Sequence, residues 1–344
     1  MESGLPKLRL MALEVTRHCR YHCPHCRANA GPIRLDGELE TDQWKKIIKA
    51  IASFAKCTVI FTGGEPLERD DIYKLIRYSS SLGLRPVIAT CGYLINDQTV
   101  EKLKEAGIQA VSFSIDGATS QTHDYLRQSE GSFDEILRAV EVVRKANLPF
   151  QINSTISQYN VDEVIGLAEL AVKIGAQCFN PFILVPTGRG KQMAGEILDP
   201  VEYESLLNLI LELKMKLPIE IRVTCAPQFG VTARQIRAEK RVGVSSGCMG
   251  GCEFGFVSFK GDVQVCGFLD LPAGNLVESK YNFAKIWRNS KLLAEIRSRP
   301  DYSGKCKSCD FINICGGCRA RAYSHSGDYL NTDPICSFHP AEKK

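Results

Sequence analysis

Between residues 8 and 185 six short β-rich runs alternate with helical patterns, and this period restricts the fold more tightly than any other feature of the chain. The runs are 8–16, 57–62, 84–90, 109–116, 149–156 and 177–185. Helical patterns fill 41–55, 70–82, 97–106, 119–146 and 161–174. The first helix reads as capped by Thr41, with Trp44, Ile47, Ile48 and Ile51 on one face. Gly107 and Gly175 mark helix ends. Sequential parallel strands with right-handed crossovers build an open sheet or a barrel, and six units are too few for the usual closed eight-stranded barrel. The expected fold is α/β, a partial (β/α)6 barrel over 8–185. Its chemistry is expected where the strands end at their C-termini.

Cys19, Cys23 and Cys26 follow the first strand directly, in the C-x3-C-x2-C spacing of "TRHCRYHCPHC". The chain holds 15 cysteines, and an odd count argues against a closed disulfide framework. The start of the chain, "MESGLPKLRLMALEVT", is broken by Lys7, Arg9 and Glu14, so it reads as neither a signal peptide nor a membrane span. The reading is therefore a cytoplasmic protein, not membrane-bound, whose clustered thiols stay reduced and serve metal or redox chemistry. Three thiolates can hold three irons of a [4Fe–4S] cluster and leave the fourth iron open. The same spacing also suits a zinc site completed by His18, His22 or His25. Just after the second strand comes "FTGGEP". Gly63 and Gly64 allow close backbone approach there, Glu65 can pair with an ammonium group, and Pro66 closes the loop.

Residues 186–247 read as a bridge, with a helix over 200–216, a strand over 219–224 and the basic run "TARQIRAEKRVG". From 248 the texture changes. Cys248, Cys252, Cys266, Cys306, Cys309, Cys315, Cys318 and Cys336 fall among glycines and short elements, and a hairpin is expected to turn at Lys260–Gly261–Asp262. On spacing alone, two four-cysteine zinc sites and iron–sulfur clusters both fit this second, small domain, 248–336. Cys57, Cys91 and Cys178 lie in or beside strands and read as core fillers. Cys225, in "VTCAPQ", faces whatever the bridge covers. The net charge of +4 is too small to point to nucleic acid, and it suits a small anionic substrate.

Together, the triad and the GGEP loop resemble the radical S-adenosylmethionine (SAM) enzymes over residues 8–185. That resemblance implies a [4Fe–4S] cluster on Cys19, Cys23 and Cys26, with the methionine part of SAM on the open iron. It also implies that Gly63, Gly64, Glu65 and Pro66 contact the SAM amino group, and that Ser114, Asp116 and Asn153 (with Ser154 and Thr155) meet the ribose. His25 would pack near adenine. The C-terminal cysteines are similar to the SPASM extension, which carries one or two auxiliary clusters. By position, one would use Cys248, Cys252, Cys266 and Cys318, and the other Cys306, Cys309, Cys315 and Cys336. The chain departs from that pattern with x2 between Cys315 and Cys318 and with an early Cys252.

"HCRANAGP", "ILVPTGRGK", "VTCAPQ" and "CGGCRARAYSHSGDYLNTDPIC" resemble the haem-biosynthetic branch, most of all the iron-coproporphyrin decarboxylases of the siroheme-dependent route. The resemblance implies a tetrapyrrole substrate with four propionates, two of which are oxidatively decarboxylated to vinyl groups. A 5′-deoxyadenosyl radical would take hydrogen from the propionate β-carbon, and CO2 and one electron would then leave. An auxiliary cluster would accept that electron, and a low-potential donor such as ferredoxin or flavodoxin would start the cycle. Arginine forks bind carboxylates well, so Arg189 and Lys191 after the sixth strand are the expected propionate contacts, joined by Cys225. Arg222, Arg319 and Arg321 are further candidates. Two other readings stay open. One is a related radical enzyme acting on didecarboxysiroheme, on haem d1 precursors or on a peptide or enzyme. With 18 residues before Cys19, no peptide-recognition domain is expected ahead of the barrel. The other is a non-catalytic electron carrier, for which GGEP would have no use.

Overall fold

The computed structural model describes residues 5–236 and 247–340. Six consecutive strands, β1 (Leu10–Thr16), β2 (Thr58–Gly63), β3 (Arg85–Thr90), β4 (Val111–Ser114), β5 (Phe150–Ile156) and β6 (Cys178–Ile183), lie side by side in chain order and are all parallel. The expected partial barrel is present. Its crossovers are α1 (Thr41–Phe54), α2 (Ile72–Ser81), α3 (Asp97–Glu105), the pair α4 (Ser120–Arg127) and α5 (Ser132–Lys145), and α6 (Val164–Lys173). The face of α1 formed by Trp44, Ile47, Ile48 and Ile51 is fully buried, as the 3.6-residue spacing requires. Its cap is Glu40 rather than Thr41, because the Glu40 amide donates to the Gln43 side chain. The Thr41 hydroxyl instead donates to Asp71 at 2.5 Å, tying α1 to the start of α2.

Strand β5 shows how the barrel separates its two faces. Phe150, Ile152, Ser154 and Ile156 are buried, while Gln151, Asn153 and Thr155 alternate with them on a half-exposed polar face. Beyond β6 the chain forms α7 (Pro200–Lys216) and a two-residue strand, β7 (Glu220–Ile221), parallel to β6. The basic run begins in α8 (Phe229–Gln235), and its part from residue 237 lies outside the described residues.

The C-terminal region continues the same sheet. Strand β8 (Phe254–Val257) pairs in parallel with the free edge of β1, then turns antiparallel into β9 (Asp262–Gln264) and β10 (Pro272–Asn275). The result is one ten-stranded sheet, in the order β10-β9-β8-β1-β2-β3-β4-β5-β6-β7. The hairpin turns at the expected glycine, where the Gly261 amide donates to Ser258 O. Among the described residues no helix is long and apolar enough to cross a membrane.

Candidate active site

The triad loop leaves the C-terminal end of β1 and is clamped against β2 by the glycine pair. The Gly64 amide donates to Thr16 O at 2.8 Å and the Glu65 amide to His18 O at 2.7 Å. A Cβ on Gly63 would lie 2.1 Å from Thr16 O, and one on Gly64 would lie 2.3 Å from His18 O. Only glycine lets the two strand ends approach this closely. Cys19 and Cys23 are buried and Cys26 half-buried, in an apolar pocket with Tyr21, Ala28, Ala30 and Tyr93.

A fourth thiol shares the pocket. Cys91, at the end of β3, packs here rather than in the main core, and its side chain hydrogen-bonds Cys19. That bond favours the Cys19 thiolate, whereas burial pushes Cys23 up to about 11. Two further donors face the sulfurs. Arg127 Nη1 lies 3.7 Å from Cys23 Sγ and Ala30 N lies 3.4 Å from Cys26 Sγ.

Glu65 is fully buried, and its carboxylate is already engaged. It accepts from Thr90 Oγ1 at 2.8 Å, Cys91 N at 2.7 Å and Leu67 N at 3.1 Å. Burial raises it to about 7. The side chain therefore ties the GGEP loop to the end of β3. Pro66 is buried and opens a short 3-10 turn.

Asp116, just past β4, is the anionic centre of the site. Arg127 Nη2 lies 2.6 Å and His25 Nε2 3.1 Å from its Oδ2, and Oδ1 accepts from Thr155 N at 2.7 Å. Burial disfavours the charge, but Arg127 and His25 together hold the carboxyl well below its usual range. His25 is thus buried against Asp116 rather than exposed on a loop, and His18 Nδ1 is directed at Glu68, 3.7 Å away. Behind Asp116, its amide donates to His123 Nδ1 at 3.2 Å. Burial and then Arg127 lower His123 from the ordinary 6.5 to about 3, so it is neutral in the folded protein. Between these values the unfolded chain binds a proton that the native one does not. Stability from this group is complete above about 6.5 and lost as pH falls towards about 3. Unfolding midpoints measured from pH 7 to pH 3 should fall more steeply for wild type than for His123→Asn. Parallel curves would show that His123 does not titrate this way.

Ser114 and Asn153 are register partners on β4 and β5, so the fold does bring them together. Asn153 Oδ1 accepts from Gln151 at 2.9 Å and from Asn180 Nδ2 at 3.4 Å, and Thr224 Oγ1 donates to Asn180 Oδ1 at 2.9 Å. A polar row thus runs across the strands from Ser114 to Thr224, next to Cys225. Asn180 and Thr224 were not singled out from sequence. The alternation of polar residues along β5 was the available signal.

Arg189 departs from expectation. It is buried, with Nε donating to Cys23 O at 2.7 Å and Nη1 to Ala30 O at 2.9 Å, while its amide donates to Cys26 O at 3.0 Å. It staples the triad loop through Nε and Nη1, while Nη2 has no hydrogen-bond partner. Arg321 and Arg319 are also committed. Arg321 is fully buried against Asp333, at 2.8 and 3.0 Å, and Arg319 donates to Tyr329 O and Asn331 O. Lys191 and Arg222 remain exposed.

In the C-terminal region, Cys306, Cys309, Cys315 and Cys336 line one pocket. Gly317 N faces Cys315 Sγ at 3.3 Å and Arg319 Nη2 faces Cys306 Sγ at 3.8 Å. Cys225 does not join the residues around the triad; its thiol hydrogen-bonds Cys318. Among the described residues no three Cys, His, Asp or Glu side chains close on a single metal ion. The sulfurs gather instead in pairs and around cavities.

The donor chemistry fits an iron–sulfur cluster with an organic ligand beside it. Sulfur donors sit in an apolar pocket and are faced by N–H groups, the environment of cluster thiolates. Three buried nitrogens around the triad lack partners, His25 Nδ1, Arg127 Nε and Arg189 Nη2. Orphaned buried polar atoms of this kind cost about 1–3 kcal/mol each, a penalty that a polar ligand would remove.

A family model described as the radical SAM superfamily matches residues 13–171, and one described as an iron–sulfur cluster-binding domain, SPASM, matches 248–310. The chain is 41% identical to an AdoMet-dependent heme synthase of Methanosarcina barkeri over 97% of its own length and 98% of the relative's. It is 38% identical to an AdoMet-dependent heme synthase of Oleidesulfovibrio alaskensis, over 100% of this chain and 90% of that one. Among solved structures, Streptococcus suis SuiB bound to S-adenosylmethionine superposes with a TM-score of 0.77 at 17% identity, over 97% of this chain and 78% of that one. That likeness is one of fold.

Proposed function

Given that this chain belongs to the radical SAM superfamily, in one family with the AdoMet-dependent heme synthases, we propose that it converts Fe-coproporphyrin III to haem b. Two propionates each lose a β-hydrogen, CO2 and one electron and become vinyl groups. A [4Fe–4S] cluster with SAM supplies the 5′-deoxyadenosyl radical that takes such a hydrogen.

The chain's own residues do the rest. Cys19, Cys23 and Cys26 would hold the cluster, with Arg127 and Ala30 N facing their sulfurs. The Asp116–Arg127–His25 group orders the floor of the site. Asp116 is paired with Arg127 and His25, and Ser114 and Asn153 stand beside it as candidates for a ribose. Lys191 and Arg222, being exposed cations, are the propionate candidates. Cysteines of the 248–336 unit would hold auxiliary clusters that accept the electron. Units 8–185 and 186–247 would serve radical generation and substrate cover, and an electron donor of the ferredoxin or flavodoxin class would reduce the enzyme.

One structural observation carries this reading. Residues 184–190 bond the triad loop on one side, through Arg189. On the other side they bond the helix Arg319–Ser326 that follows Cys318, through Arg321 Nη1 to Leu184 O at 3.3 Å and Ser324 Oγ to Pro186 O at 2.6 Å. A radical site and an electron sink joined by one short segment suit an oxidation that must pass on one electron per vinyl group.

The test is anaerobic incubation of the holoenzyme with Fe-coproporphyrin III, SAM and a low-potential reductant. Haem b, CO2 and a mono-vinyl intermediate are expected by mass spectrometry. Deuterium on the propionate β-carbons should appear in 5′-deoxyadenosine. SAM cleavage without any haem would refute the substrate.

A further inference from the structure

The assignment of Cys252 as a ligand beside Cys248, Cys266 and Cys318 came from position along the chain, and the fold groups the thiols differently. Cys225 and Cys266 pack against the same core in which Cys318 is buried, and the Cys225 and Cys318 thiols lie close enough for each to shift the other's acidity. Cys225 also lies within electrostatic reach of Cys266, and Cys266 within reach of Cys248 and Cys318. Cys252 lies near Cys248 and is not among the residues that pack with Cys225, Cys266 and Cys318 in the main core. Its other charged neighbours are Arg297, Arg299 and Glu253.

The backbone holds Cys225 in this company. Asp333 Oδ2 accepts the Cys318 amide at 2.9 Å and the Gln228 side chain at 2.9 Å, and Asp333 pairs with Arg321. Arg321 Nη2 in turn donates to Cys225 O at 3.0 Å. Both cysteines are therefore pinned, within one or two hydrogen bonds, to the same buried carboxylate. Cys225 also has φ +60°, a left-handed conformation that a residue with a Cβ rarely adopts. Such strain persists only where the surroundings over-determine it.

We propose that Cys225 is an iron ligand of the auxiliary cluster, completing a set with Cys248, Cys266 and Cys318, and that Cys252 lies outside that set. The inference rests on the iron–sulfur reading of the C-terminal unit. It adds a ligand from the bridge, so that the cluster does not belong to the C-terminal unit alone.

The experiment compares wild type, Cys225→Ala, Cys225→Ser and Cys252→Ala, each purified and reconstituted without oxygen. Iron and sulfide per chain and the EPR spectrum of reduced protein are read, with far-UV circular dichroism as the fold control. Both Cys225 variants should lose between one and about four irons with a changed auxiliary signal, while Cys252→Ala keeps the wild-type count and spectrum. If Cys252→Ala loses iron, or if folded Cys225→Ala and Cys225→Ser keep all of it, the assignment is overturned. Haem formation is assayed on the same wild-type preparation. Failure there with the expected iron losses would refute the substrate and leave the ligand set standing, and the opposite pattern would refute the ligand alone.

Discussion

With Cys19, Cys23 and Cys26 all replaced by alanine, anaerobically reconstituted protein should hold about four fewer irons than wild type, and SAM cleavage should fall to background. The expectation follows from the pocket. The three sulfurs lie in an apolar site whose N–H donors, from Arg127 and Ala30, stabilise thiolates. Cys91 remains in the variant, but a single thiol cannot keep a cluster in place. Arg127 and Asp116 remain paired, so the loss is one of iron and chemistry more than of fold. Iron and sulfide analysis, with chromatography of 5′-deoxyadenosine, checks it. An unchanged iron count would place all of the metal in the C-terminal cysteines and remove the radical site from the triad.

The second large effect concerns stability. Asp333→Ala should destabilise the protein by about 3–5 kcal/mol, the range for breaking a buried ion pair by removing one partner. Asp333 and Arg321 are both about 1% exposed, and the carboxylate also accepts from Gln228 and Cys318 N. Its removal leaves the buried guanidinium without a counter-charge, held only by Leu184 O and Cys225 O, and releases two more donors. The double variant Asp333→Leu with Arg321→Met should recover much of the loss, because it leaves no charge buried. Anaerobic urea unfolding of both variants against wild type measures this. A change within about 0.5 kcal/mol for Asp333→Ala would mean that water reaches the pair.

The repeating strand–helix period was enough to place β1 to β6 and their parallel order, because burial under crossover helices imposes an apolar pattern that survives in the chain itself. The triad and GGEP were equally legible, since a cluster loop and a tight strand end depend on residues a few positions apart. The C-terminal cysteines announced sulfur chemistry for the same reason.

What the tertiary structure decided is everything carried by distant partners. Arg189 reads in sequence as a free cation after the last barrel strand. Only folding sets it against Cys23, 166 positions away, where desolvation leaves it bonded to backbone carbonyls. Arg127 carries no motif and meets Cys23 across 104 positions. Cys91 reads in sequence as a core filler and Cys225 as a substrate contact, until packing places each beside a motif thiol. Spacing along the chain specifies which groups a loop can gather; which charges and thiols lose water together, and therefore pair, is settled by the packing of strands and helices that the local sequence does not contain.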